Sequence, residues 1–500
     1  MSGSMKFNKA PIVHGILIVL VTISLIVTYF IIASPVELIN WINGTFDNEE
    51  VALQNETEDT SNAQQNQDQQ PSHLLLPRRL VTHNKEDKFE LTTNHDLLER
   101  TKNYLQNLQY DEGADIEEIG LDTFRENCKD QRYVEVKYAD EMPSALYANL
   151  PDQLTENDET MAFTAFVIFP KDDKVYLISE DQHTAYTLSL INTSDNQKLI
   201  DDIFAADDKY AVTPVNFAKG RHYIMKDKQV VPKQTYMLER QPNTFFLNAL
   251  FSSPGEIHDY SDDDYSRYYS NNHQLAIDNK TYELNFNHDV DSSEDQSIQD
   301  KIKASFNKMS VFFPDQETWW FVGYESSNHT ITYRKFINEL PIFAPYHVSK
   351  TEIKMNGNDI SNLQMSSLTI QTQLTDLSED LELMSGTNAL EILRNNGIDT
   401  NDIEDLQIGY RWVESPDSNR LVELIPTWYV KRDGEWYALE DLVDMSDYDH
   451  LKLRYKDSGD VFPWDDYLED TKDKPVEQEA TQEEVFHNSD METASETEED

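Results

Sequence analysis

The sequence predicts an α+β protein: one N-terminal transmembrane helix, then a multi-domain extracytoplasmic part of antiparallel sheets packed with helices. Three observations predict it. An uncharged apolar run occupies Ile12 to Ala33. Beyond residue 74, strand-like blocks of alternating apolar residues are interspersed with blocks of helical spacing. After residue 275 one pattern, strand–helix–strand–strand, occurs twice.

Ile12 to Ala33 is 22 residues with no formal charge. At about 1.5 Å per residue it forms a helix of roughly 33 Å, enough to cross a hydrocarbon core. Lys6 and Lys9 precede it, and Glu37 and Asp47 follow. The positive-inside rule then places residues 1–11 in the cytoplasm, residues 12–33 in the cell membrane as a single pass, and the bulk outside. A cleaved leader has an apolar region of about 7–15 residues; this longer run predicts an uncleaved anchor. Gly15 and Thr22 are seven apart, and Ser24 and Thr28 four apart, so each pair shares a helix side. Small and hydroxyl residues permit close packing on a neighbouring helix, which makes these four the candidate partner contacts. The other reading of the hydroxyls is back-bonding to their own helix. Trp41 follows as an interfacial aromatic.

Residues 34–73 read as a flexible spacer, because Asn, Gln, Asp, Glu and Thr dominate from Asp47 to His73. Residues 74–274 read as an N-terminal extracytoplasmic α+β region. His95 to Tyr110 carries Leu97, Leu98, Tyr104, Leu105 and Leu108 at helical spacing, and Tyr133 to Tyr138 alternates like a strand. Phe163 to Phe169 and Lys174 to Ile178, separated by Pro170-Lys171-Asp172-Asp173, signal a hairpin, and Phe245 to Phe251 is a further apolar block. Residues 275–345 and 346–456 read as two β-α-β-β units. The first runs Thr281 to Asn287, Gln296 to Met309, Trp319 to Tyr324 and Thr330 to Leu340. The second runs Ser366 to Leu374, Asn388 to Arg394, Leu406 to Trp412 and Arg420 to Tyr429. Gly323-Tyr324 and Gly409-Tyr410 mark the same strand in each, 86 residues apart. Residues 457–500 hold seventeen Asp/Glu against Lys472 and Lys474, which reads as a disordered acidic tail.

The chemistry is bounded by what is missing. A net charge of −52 repels phosphate backbones and anionic lipid, so nucleic acid is excluded as a partner. A lone cysteine, Cys128, makes no internal disulfide, and its acidic neighbourhood argues against an activated thiolate. The zinc, nucleophile-elbow and phosphate-loop signatures do not occur in the sequence. Asp289, Asp291, Ser293, Asp295 and Asp300 imitate a calcium loop, but Glu294 stands where the tight turn wants Gly, and Asp262-Asp263-Asp264 reads as an ordinary acidic loop. The expectation is therefore no enzyme and no metal or cofactor. With 93 acidic residues, no pair can be singled out for glycoside hydrolysis. Trp319, Trp320, Trp412 and Trp428 are candidates for an outer contact surface, though their strand setting favours the core.

Several blocks carry a resemblance: the Lys-containing start and anchor from Met5 to Ala33, Tyr333-Arg334-Lys335-Phe336-Ile337-Asn338-Glu339-Leu340-Pro341-Ile342-Phe343, Leu383-Met384-Ser385-Gly386 through Leu393, and Ile408-Gly409-Tyr410 with Leu424-Ile425-Pro426-Thr427-Trp428-Tyr429-Val430. Together they resemble the YycH (WalH) family of Gram-positive bacteria, most strongly over residues 310–440. The resemblance implies a membrane-anchored accessory regulator of the sensor histidine kinase WalK (YycG), a two-component kinase that controls cell-wall metabolism. It also implies that the regulator acts with a second anchored protein, YycI. An anchored cell-wall binding protein or hydrolase is the alternative.

Overall fold

Alternating apolar residues build the first sheet. Its strands are β1 (Arg79–Asn84), β2 (Lys88–Thr92), β3 (Glu117–Gly120), β4 (Tyr133–Pro143), β5 (Ala162–Ile168), β6 (Lys174–Ser179), β7 (Thr184–Ser189), β8 (Tyr210–Phe217) and β9 (Gly220–Met225). They lie in the order β3-β7-β6-β5-β4-β1-β2-β8-β9, every pair antiparallel. The hairpin expected around Pro170 is β5–β6, with Val167 opposite Tyr176. Along β5, Phe166 and Ile168 enter one core while Ala165 and Val167 enter another, the period of two that a pleated strand imposes. The first face is covered by helix α1 (His95–Gln106), and the second by helix α2 (Leu121–Cys128). Asn94 caps α1 by accepting from the Leu97 N–H, and Leu97, Leu98, Thr101 and Leu105 form its buried stripe. Helix α3 (Gln197–Ala205) packs beside α1 through Leu199, Ile200 and Ile203.

The structure is a computed structural model that describes residues 75–464, apart from 86–87, 112, 148, 156–160, 192–195, 252–256, 290–295, 314–318, 416–417 and 419. The anchor Ile12 to Ala33, the spacer and the tail beyond residue 464 lie outside the described residues. Among the described residues no helix is long and apolar enough to cross a membrane.

The second sheet begins with β10 (Gln229–Arg240). Helix α4 (Asn243–Leu250) follows, from the Phe245 to Phe251 block. Next come β11 (His258–Asp259), β12 (Tyr265–Ser270), β13 (His273–Asp278), β14 (Glu283–His288), helix α5 (Ile298–Met309), β15 (Trp319–Glu325), β16 (Thr330–Ile337), β17 (Leu340–Phe343), β18 (Lys350–Asn356) and β19 (Asp359–Ser366). The chain continues through β20 (Leu368–Gln373), β21 (Glu379–Leu383), helix α6 (Gly386–Asn395), β22 (Asp405–Glu414), β23 (Leu421–Arg432), β24 (Glu435–Ala438) and β25 (Arg454–Tyr455). The main order is β11-β12-β13-β14-β19-β18-β16-β17-β22-β23-β10-β21-β25, with β15 on β16, β20 on β10 and β24 on β23. Among the described residues its one parallel pairing is β17 with β22, where Ile342 faces Tyr410. The result is an α+β architecture of two large, mostly antiparallel sheets.

The first expected unit is present in order as β14-α5-β15-β16, but the second is not as expected: Ser366 to Leu374 forms the end of β19 and β20, and a further strand, β21, stands between it and α6-β22-β23. In the sheet, β14 is held away from the pair β15–β16 by β19 and β18, and β21 is held away from β22–β23 by β10. The two Gly-Tyr pairs do different work. Tyr410 is fully buried and donates to the Pro232 carbonyl at 3.2 Å, whereas Tyr324 is half-buried and pairs with His329 Nδ1 at 2.8 Å. One expected strand is two. Thr330 to Leu340 folds back at Asn338 (φ 49) and Glu339 (φ 63), giving β16 and β17. Two successive positive φ values are the mark of a type I′ hairpin turn, where Gly would ordinarily follow the Asn.

One core runs through both sheets: Val134, Phe166 and Ile200 share it with Phe246, Ile302, Trp320 and Ile353. A second joins Phe217 and Ile224 of β8 and β9 to α6, β22 and β23, and it extends to Phe462 and Trp464.

Candidate functional site

The first sheet meets β22 and β23 along a seam of packing and charge. At its apolar end, Gly386 opens α6 directly against β9. A Cβ there would lie 2.8 Å from Trp428 Cη2 and 3.3 Å from the Met225 backbone nitrogen, and closer still to Ile224. Only glycine lets the helix start approach the strand this closely. Ser385 caps the helix by accepting from the Asn388 N–H, and the Trp428 indole N–H donates to the Met384 carbonyl at 3.1 Å. Gly409 does the same for Phe343: an added Cβ would meet its Cδ2 at 2.8 Å and the Pro341 carbonyl at 3.0 Å. The Phe343 ring stacks on Tyr429 at 3.9 Å. Three of the blocks that the sequence singled out thus meet in close contacts, Gly386 and Trp428 at the seam itself and Gly409 with Phe343 inside the second sheet beside it.

The polar part of the seam joins residues remote in sequence. Arg79 of β1 donates to Gln407 Oε1 of β22 at 3.2 Å. His222 Nδ1 of β9 lies 2.9 Å from Asp405 Oδ1, which also accepts from the Leu406 N–H at 2.7 Å. Burial by itself would raise the Asp405 carboxyl, but His222 and Arg79 hold it well below the usual carboxylate range. Lys431 Nζ of β23 bonds Asp140 Oδ2 of β4 at 3.1 Å and lies 4.0 Å from Glu404. These acids outweigh the burial of the ammonium, and its pKa rises. Between the β8–β9 turn and the start of β22, the Ala218 N–H donates to the Ile403 carbonyl at 2.8 Å.

A second contact lies at the β16–β17 turn. Arg78, just before β1, is buried with its guanidinium 4.1 Å over Phe336 and 5.1 Å over Trp320. Burial, with Arg79 adding to it, pushes Arg78 down to about 9. Glu339 faces it from the turn, 3.6 Å from His95 Nδ1 at the start of α1. Burial raises the Glu339 carboxyl against the pull of Arg78 and His95. The turn thus places a carboxylate, at a backbone position suited to glycine, near Arg78 and His95, with its Oε2 buried and without a hydrogen-bond partner.

Between β14 and β18 lies a buried ion cluster. His347 Nδ1 is 2.6 Å from Glu283 and its Nε2 is 3.4 Å from Glu352, which Lys350 Nζ meets at 3.0 Å. Burial works against charging His347, and its bonds to the two glutamates more than offset this, raising its pKa. Glu352 is drawn down to about 2, where His347 and Lys350 outweigh burial. These carboxylates converge on a buried imidazole and not on an open cleft.

The sequence candidates are distributed as follows. Gly15, Thr22, Ser24 and Thr28 lie outside the described residues. Trp319, Trp320, Trp412 and Trp428 are all buried, so none forms an outer contact surface. Trp319 stacks on Phe313 at 3.9 Å and Trp320 on Phe336 at 4.6 Å. Cys128, the last residue of α2, is buried, and burial, with Glu135 nearby, pushes its thiol up to about 12, far from a reactive thiolate. Asp300 is a helix cap partner: it accepts from the Ser297 hydroxyl at 2.8 Å, and its own N–H donates to that hydroxyl at 3.2 Å. Asp262 folds its own turn by accepting from the Asp264 and Tyr265 N–H groups. Among the described residues no cluster of three or more His, Cys, Asp and Glu could hold a metal. Sequence reasoning missed every charged group of the seam, and no local signal marked them.

Comparison with known families now decides the assignment. The sequence family described as "YycH protein, N-terminal domain" matches residues 13–207, and "YycH protein, C-terminal domain" matches residues 219–445. The chain belongs to the YycH family. The crystal structure of YycH from Bacillus subtilis has a similar fold, with a TM-score of 0.59 at 16% identity over 74% of this chain and 97% of that one. An uncharacterized protein from Eubacterium rectale aligns at a TM-score of 0.29 and 11% identity, over 42% of this chain and 78% of that one. No curated protein matches the chain. The boundary between the two YycH matches falls at the β8–β9 hairpin, so β9, the last strand of the first sheet, comes from the C-terminal match. YycH proteins are membrane-anchored and form a regulatory, non-enzymatic family, and membership implies association with WalK and YycI.

Proposed function

We propose that this chain is a membrane-anchored extracytoplasmic regulator of a WalK (YycG) sensor histidine kinase that controls cell-wall metabolism, acting with a YycI-like protein. The observation that carries the reading is the pair of family matches spanning residues 13–207 and 219–445. The membrane helix Ile12 to Ala33 packs against the kinase helices through Gly15, Thr22, Ser24 and Thr28, and the outer domains hold the kinase sensor domain and YycI nearby. A partner that packs differently against two arrangements of the kinase helices shifts their populations by its differential affinity and no more. The close-packed, ion-paired seam supports the part of this reading that concerns the outer domains, because it holds the two sheets to one another as a single surface for a partner.

The test replaces residues 1–35 with an unrelated membrane helix and reads a kinase-dependent promoter, with surface labelling to verify insertion. Loss of regulation is expected; unchanged kinase output in correctly inserted protein would sink the helix-contact mechanism. Recovery of a sensor kinase and a second single-pass protein in a mild-detergent pull-down tests the partner assignment separately.

A further inference from the structure

Five neighbouring strands of the second sheet, β12, β13, β14, β19 and β18, send every second side chain into the core, among them Leu275, Leu284, Leu363 and Ile353. The alternate positions form the opposite face, and the register aligns them in rows across the strands. One row is Tyr269, Gln274, Asn287, Asn362 and Lys354, each directly opposite the next. Beside it, Asn285 lies opposite Gln364. The outward face of a half-buried antiparallel sheet is polar by default, but this one departs from a merely solvated face in three ways. No residue of the row is acidic, in a chain with 93 Asp and Glu. Asn is depleted in strands, because its amide competes with the backbone for hydrogen bonds, yet Asn285, Asn287 and Asn362 stand together on two paired strands. Such a run against local propensity belongs to a built site. The amides are also held in place. Asn362 Nδ2 donates to Asn287 Oδ1 at 2.7 Å. Asn285 is only 5% exposed, and its Oδ1 is buried without a hydrogen-bond partner. Just past β11, the Tyr260 N–H donates to the Arg267 carbonyl at 2.8 Å, which sets Tyr260 opposite Arg267 on this same face. Its side chain is 63% exposed and meets the Tyr269 ring edge-on at 5.4 Å.

We infer that this face binds an uncharged, β-linked saccharide chain laid across the strands. The amide row runs perpendicular to the strands. At about 4.8 Å per strand, the steps from Tyr269 to Lys354 cover about 19 Å, the reach of a chain and not of a single sugar. Each Gln or Asn amide offers donors and an acceptor side by side, which matches neighbouring sugar hydroxyls that donate and accept alike. A hydroxyl entering beside Asn285 also supplies the donor that its buried Oδ1 lacks, and an unpaired buried acceptor is costly. The apolar C–H face of a sugar ring packs on the exposed Tyr260 ring. Charge decides against anionic polymers. The chain's net charge of −52 repels them, and charged groups flanking the amides are already paired, Arg267 with Asp262 at 2.5 Å and Glu352 with Lys350 at 3.0 Å. Topology decides against a peptide, which would add its backbone at a sheet edge, whereas β12, β13, β14, β19 and β18 are each paired on both sides.

The test is isothermal titration of cellohexaose and of chitohexaose into the full-length chain in lipid nanodiscs, where no sugar-headed detergent competes. Binding of at least one hexasaccharide is expected. Its affinity should hold between about 0.05 and 0.5 M salt, because no charge is exchanged. Tyr260→Ala should weaken binding about two- to tenfold while leaving the melting midpoint unchanged, since the side chain is exposed. Gln274→Leu keeps the bulk and removes the amide, and it should weaken binding by a similar factor, about two- to tenfold. Four outcomes would overturn the proposal: no binding of either hexasaccharide, binding that either variant leaves unchanged, an affinity that collapses with salt as for an anionic ligand, or tighter binding of an uncharged Ser-Gly peptide of equal length.

Discussion

Gly386→Ala is the sharpest probe of the seam. The added methyl group would stand 2.8 Å from Trp428 Cη2, 3.3 Å from the Met225 backbone nitrogen, and closer still to Ile224. None of these neighbours can yield cheaply. The Met225 contact is backbone, the Trp428 indole is anchored to the Met384 carbonyl, and Ile224 is β-branched and buried. Overpacking a fitted core costs about 1–3 kcal/mol. Displacing the indole adds the loss of a buried hydrogen bond, about 0.5–1.5 kcal/mol. Alanine's better helix propensity returns at most about 1 kcal/mol. The net expectation is a loss of about 2 kcal/mol, with a lower urea midpoint at unchanged slope. The assay is urea unfolding of the full-length chain in detergent, followed by tryptophan fluorescence. A midpoint that stays put or rises would refute the reasoning, since it would mean that propensity outweighs the clash and that β9 does not hold the helix start.

Two further outcomes follow from the ion clusters. The raised pKa of His347 means that its pairing with Glu283 and Glu352 stabilises fully below the unfolded value of about 6.5 and is lost as pH rises through the folded value. Wild-type stability should therefore fall as pH rises above about 6.5, and His347→Gln should flatten that slope while costing about 1–3 kcal/mol at the acidic end; an unchanged slope in the variant would contradict the assignment. Asp405 has a depressed pKa, so its contribution is present above about pH 4 and is lost only as pH falls through the folded value. At neutral pH Asp405→Asn should cost about 1–3 kcal/mol by leaving His222 and Arg79 without their carboxylate, and a cost below about 0.5 kcal/mol would show the seam charges to be solvated.

Much of the local structure was legible because its signals are local. The alternation in Phe163 to Phe169 and the Leu spacing after Asn94 declare a strand and a helix through side-chain periods of two and 3.6. The hairpin at Asn338-Glu339 was not legible, since Glu is not the residue a type I′ turn selects, and its neighbours Arg78 and His95 are remote in sequence. The four tryptophans could be read either way, because a strand has two faces and the residue type does not say which one is covered.

The sequence by itself determined the uncharged run at Ile12 to Ala33, the α+β character and the family, each written in contiguous residues. The tertiary structure alone decided which of 93 acidic residues matter to the seam. Asp140 meets Lys431 across 291 positions, and Arg79 meets Gln407 across 328. Such pairs leave no periodic trace, because they are set by how two sheets dock and not by how either one forms.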